Sequence, residues 1–184
     1  MKNRNKKTTR VATAGMMAAL GVVILYVGSL IEVLDISMAA IASLLCVIAV
    51  IEFGRGYAWL VFAATATLAM IVLPEKFTPS LYAFMIGYYP MVKELVERIG
   101  KKRMFKGCRA LQWAVKLIFF NCALLVFAII AIYILLVPTE AEWMQWTMLI
   151  LANAAFILYD IALTRLITTY VLRLRHRFKF ITKK

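Results

Sequence analysis

Long apolar runs separated by short polar connectors fill nearly the whole chain. Six runs read as helices: Val11–Ile31, Ile36–Phe53, Tyr57–Leu73, Leu81–Val96, Leu111–Val137 and Trp143–Leu172. Apolar segments of about 18 residues or more, nearly free of charge, are the length that crosses a bilayer. The second, third and fourth runs are short, which suits little tilt or partial re-entry. Continuous apolarity without strict alternation excludes a barrel, because lipid requires every backbone group to be paired within the protein. The pattern predicts an all-α, polytopic membrane protein, a six-transmembrane-helix bundle. Its parts are a basic tail over 1–10, a membrane domain over 11–172 and a second basic tail over 173–184.

Composition strengthens this reading. The chain is 64% hydrophobic, against roughly 45–50% in soluble globular domains. The net charge of +13 would suit nucleic acid if it were spread over a soluble surface. Instead the basic residues gather at the ends of apolar runs. With both termini cytoplasmic, every Lys and Arg except Lys76 lies on or near the inner side. Glu32, Asp35, Glu75, Glu140 and Glu142 fall in outer connectors. That asymmetry is the positive-inside pattern, and it makes lipid, not nucleic acid, the surrounding partner. The opening MKNRNKKTTR resembles the charged region of a signal peptide. The apolar run after it is about 20 residues long and lacks a small-residue cleavage site, so an uncleaved first span is expected.

The stretch FMIGYYPMVKELVERIGKKR, from Phe84 to Arg103, is the fourth span reaching the inner side. Pro90 removes a backbone donor and predicts a kink one turn back, near Gly87. Lys93 and Arg98 extend their charged heads toward water, and Glu94–Arg98 is a helix-supporting pair at i, i+4.

Two small-residue lines share the first span. Ala14, Ala18 and Gly21 recur at helical spacing, with Gly15 and Ala19 beside them. Small residues let helices approach closely in lipid, so these lines serve either packing within the chain or docking of another membrane subunit. Ionisable groups within spans are costly and mark function or bracing. Asp160 is the clearest of them, with Lys116 and Lys93 at comparable inner depth as expected partners. Asn121 and Asn153 lie nearer mid-membrane, where they join helices or contact a ligand. Glu32, Tyr82, Tyr88 and Trp143 are candidates for a pocket wall, although aromatic residues at the interface are commonly anchors.

Several chemistries are excluded. The single histidine, His176, lies in the C-terminal tail and cannot assemble a metalloprotease site. Gly100 precedes lysines but lacks the upstream glycine of a phosphate-binding loop, and no serine sits in a nucleophile elbow. Cys46, Cys108 and Cys122 have neither metal-ligand nor redox spacing, which predicts free thiols. No enzyme, metal or cofactor is expected.

A short, basic, six-span chain with Ala14, Gly15, Ala18 and Ala19 in its first span resembles the S components of energy-coupling factor transporters. The patches GYYPMVK (Gly87 to Lys93), KLIFFN and LYDIALTRL are similar to uncharacterised members of that group. The resemblance implies a bacterial membrane subunit that captures a vitamin, a precursor or a metal ion from outside. It would dock through Ala14 and Ala18 onto a transmembrane coupling subunit driven by two ATPases. Nickel and cobalt members use an N-terminal histidine arrangement absent here. Two alternatives stay open: a non-transporting scaffold of the rod-shape-determining type, and a stand-alone proton-coupled carrier that needs Asp160 open to water.

Overall fold

The computed structural model describes the backbone of residues 2–102, 109–134 and 142–174, with side chains over 7–31, 33–98, 112–134 and 143–172. All regular structure among the described residues is helical: α1 (Lys2–Leu30), α2 (Asp35–Phe53), α3 (Arg55–Val72), α4 (Phe77–Leu81), α5 (Tyr89–Lys102), α6 (Arg109–Tyr133) and α7 (Glu142–Thr169). A 3-10 turn over Glu32–Leu34 joins α1 to α2, and π-helical segments cover Tyr82–Ile86 and Tyr170–Leu174. The chain divides into two units, residues 1–138 with α1 to α6 and residues 139–184 with α7.

Five helical segments are long and apolar enough to cross a membrane: Lys7–Leu30, Asp35–Phe53, Arg55–Val72, Gln112–Tyr133 and Trp143–Leu172. The chain is therefore a helical, multi-pass membrane protein. The expected fourth span differs, because Leu81–Val96 is divided among α4, a π segment, a turn and α5. The expected N-terminal tail is helical. Lys2 to Arg10 continue α1 without a break, since nothing in KNRNKKTTR stops a helix. At 29 residues and ~1.5 Å per residue, α1 is about 44 Å long, well beyond a ~30 Å hydrocarbon core. Of the C-terminal tail, residues 175–184 lie outside the described residues.

Within the first unit, α1 seats one narrow line of residues between α2 and α3. Ala14, Ala18, Gly21, Leu25 and Gly28 are all buried, four and three positions apart by turns. A side chain added at Gly21 would meet Thr65 Cγ2 on α3 at 2.9 Å. One at Gly28 would meet Met38 Cβ on α2 at 2.8 Å. Small residues here set the approach of three backbones, the packing that lipid-embedded helices depend on. Met16, Leu20 and Val23 point the other way and are exposed, as suits a surface whose solvent is lipid.

Two connectors are fixed by local chemistry. Gly54 alone joins α2 to α3, with φ 90° and ψ 170°, a region open essentially only to glycine. At the opposite end of α3, Lys76 Nζ donates to the carbonyls of Met70 (2.8 Å) and Leu73 (2.6 Å). A cation there satisfies helix-end carbonyls, so Lys76 caps α3.

Candidate functional site

The interrupted helical segment from Phe77 to Lys102 gathers most of the polar chemistry of the first unit. In its first part, Thr78 Oγ1 on α4 donates to Asp35 Oδ1 at 2.6 Å. Asp35 opens α2, so its carboxylate faces the positive end of that helix. Both residues are buried. Without Thr78, a carboxylate in this position would lack a hydrogen-bond donor that its burial demands.

Tyr82 follows and is fully buried, within 3.4 Å of Cys46 Sγ through its hydroxyl. Leu25, Ala39, Ala42, Ala69, Leu73 and Leu81 complete the cluster around it. The ring, expected on a pocket wall, is packed here against aliphatic side chains and against Phe62, 5.9 Å away between centroids.

The helix is interrupted near Gly87, where Pro90 predicts a kink. Gly87 N donates to Tyr82 O at 2.7 Å, five residues back, and the next helix starts from the Tyr88 carbonyl, which accepts from Met91 (3.1 Å) and Val92 (3.3 Å). Tyr88 at the joint stacks edge-on between Phe62 and Phe119. Its ring is a packing element shared by α3 and α6.

Below the joint lies a charged cluster. The side chains of Lys93 and Lys116 are 2% and 8% exposed, and both approach Glu97 Oε1, at 3.7 and 3.3 Å. Lys116 also lies 5.5 Å from the centre of the Trp113 ring, near enough for a cation–π attraction. Glu94 lies between Arg55 Nε (3.0 Å) and Arg98 Nη1 (4.0 Å). The Arg55 approach is short but not aligned as a hydrogen bond, so Glu94 Oε2 is held by charge alone among the described residues. The expected Glu94–Arg98 pair exists, and Arg55 from the α2–α3 joint is the nearer cation. The cluster binds that joint, α5 and α6 together at one end of the unit.

Glu97 escaped sequence reasoning, although its i, i+4 spacing from Lys93 was a usable signal. Asp35–Thr78 and Arg55–Glu94 join residues about forty positions apart, and no local pattern points to either.

The remaining candidates are scattered. Asn121 Nδ2 donates to Leu117 O and Asn153 Nδ2 to Leu149 O, each at 2.9 Å within its own helix. Trp143, at the start of α7, is 68% exposed and suits an interfacial anchor. Glu32 lies in the 3-10 turn, its side chain outside the described set. Asp160 is buried on one line of α7 with Phe156 and Leu163. It belongs to the second unit, whereas Lys93 and Lys116 belong to the first.

The four small residues expected to form a docking face divide between two surroundings. Ala14 and Ala18 are 5% and 2% exposed. Ala14 packs with Cys46, Ala49, Ala58, Val61 and Met91, and the Ala18 carbonyl faces Thr65 Oγ1 at 3.4 Å. These two alanines are occupied within the chain. Gly15 and Ala19 are the exposed small pair, and a Cβ built at Gly15 meets nothing within 4 Å. Among the described residues, no group of three or more His, Cys, Asp or Glu could hold a metal ion. Comparisons with protein-family models, curated proteins and solved structures found no match.

Proposed function

We propose that this chain is the substrate-capture membrane subunit of an energy-coupling factor importer in a bacterial cytoplasmic membrane. It crosses the membrane six times with both ends inside and takes a vitamin or precursor from outside. It works by docking on a transmembrane coupling subunit driven by two separate ATPases. The reading is supported by the resemblance of the GYYPMVK, KLIFFN and LYDIALTRL patches. The structural observation that carries it is the exposed pair Gly15 and Ala19 on α1, with open space over Gly15. The docking face is thus shifted by one residue from Ala14 and Ala18, and close helix approach there has no room for a large side chain.

The test is Gly15→Trp with Ala19→Trp. The double variant is expected to fold and melt as the wild type does, yet to lose copurification with a coupling subunit and ATP-dependent uptake. Normal partner binding by that variant would overturn the reading.

One observation favours a second reading, a non-transporting scaffold. The region around Tyr82 is filled core, which suits a protein that acts by binding partners and holds no ligand there. Mass spectrometry of small molecules that copurify with the protein separates the two. A specific, saturable small molecule supports capture; a stable membrane partner without one supports the scaffold.

A further inference from the structure

The two halves of the fourth span are held by different physics. On the outer side Thr78, Pro79, Ser80, Leu81 and Tyr82 are all buried, and the Asp35–Thr78 bond fastens α4 to α2. On the inner side burial ends at Lys93, and the residues from Glu94 to Arg98 are half-buried or exposed. What ties that stretch down is ionic: Arg55 to Glu94, and Lys93 and Lys116 to Glu97.

Between the halves the backbone ladder changes register. The bond from Gly87 N to Tyr82 O closes the outer π segment, Pro90 has no N–H to offer, and bonding restarts at the Tyr88 carbonyl. The joint is closely packed. A Cβ at Gly87 would lie 2.7 Å from Tyr82 O, 2.8 Å from Tyr82 Cζ and 2.9 Å from Phe62 Cε2. Tyr88 makes T-shaped contacts with Phe62 and Phe119 on its two sides.

We propose that α5 is a lever: it pivots about Gly87–Tyr88 while α4 stays fixed, and Glu94 and Glu97 are its latch. Opening the latch frees α5 from the α2–α3 joint and from α6, and with it the buried Met91 from its cluster with Ala14 and Cys46, so that one end of the unit is reshaped while α4 keeps its place. The device stands on this geometry and does not depend on the transport reading.

Amide hydrogen exchange of the full chain in detergent tests it, since exchange reads local opening separately from global unfolding. In the Glu94→Gln, Glu97→Gln variant, which removes the ion pairs of Glu94 with Arg55 and Arg98 and of Glu97 with Lys93 and Lys116, amides of Val92 to Arg98 should exchange at least roughly tenfold faster. Amides of Leu81 and Tyr82 should keep their wild-type rates. Adding Pro90→Ala restores a donor across the joint and should bring the α5 rates back down. If the variant does not fold, the wild type compared at about 0.05 and 0.5 M salt replaces it, because screening weakens the latch and leaves apolar packing in place. Equal acceleration of α4 and α5, no acceleration of α5, or indifference to Pro90→Ala would each overturn the lever.

Discussion

Two glycines on α1 lie on opposite faces and should respond to the same substitution with opposite sign. Replacing glycine by alanine inside a helix favours the helix by about 1 kcal/mol. At Gly15 nothing opposes this, because a new Cβ meets no atom within 4 Å. At Gly28 the new Cβ would lie 2.8 Å from Met38 Cβ and 3.2 Å from Met38 Cγ. The nearer atom is the root of the methionine side chain, so no rotamer change moves it away. Carbon atoms rest comfortably about 3.5–4.0 Å apart, so α1 and α2 must separate there by roughly 0.7–1.2 Å. Overpacking of this kind costs about 1–3 kcal/mol. The helix gain is common to both sites, so Gly28→Ala should be less stable than Gly15→Ala by the overpacking term. At ~2–4 °C per kcal/mol for a chain of this size, the two melting temperatures should differ by about 2–12 °C. Tryptophan fluorescence melts of both variants in one detergent measure the difference. A Gly28→Ala variant that melts at or above Gly15→Ala would refute the close α1–α2 contact.

Ala18→Trp should destabilise the isolated protein by at least ~1–3 kcal/mol, seen as aggregation or loss of the folded peak on size exclusion. A well-folded variant would return Ala18 to the lipid face. Thr78→Val should cost about 1–3 kcal/mol by leaving the buried Asp35 carboxylate short of a donor. Asp35→Asn should cost less, because its amide oxygen still accepts from Thr78; the order of the two melting temperatures is the check. Lys76→Met should lower stability by about 0.3–1 kcal/mol through loss of the α3 cap, and a melt unchanged from wild type would place Lys76 in solvent.

Helix type and span were legible wherever apolar character ran long, as in α2, α3 and α6. The interruption near Gly87 was legible too, because Pro90 lacks a donor whatever surrounds it. Which small-residue line of α1 turns inward was not. Ala14–Ala18–Gly21 and Gly15–Ala19 satisfy the same period, and the choice depends on Met38 and Thr65 on other helices. Tyr82 misled for a related reason: an aromatic residue near an interface suits an anchor, a pocket wall or a core, and Leu25, Ala39 and Leu73 decide for the core. The charged cluster was half legible. Lys93 and Lys116 announced themselves by their cost in an apolar run, but the carboxylate that meets both lies where polar residues needed no explanation.

The single-residue joint at Gly54 bears on how the chain enters its membrane. With one residue between Phe53 and Arg55, α2 and α3 have no slack to be threaded one after the other with water-filled chain between them. They must partition into lipid as a preformed hairpin, and the orientation of one fixes that of the other during synthesis. Arg55 is the basic residue at the bend that both segments share. A charge added at the far end of either helix would have to reverse both to reverse one.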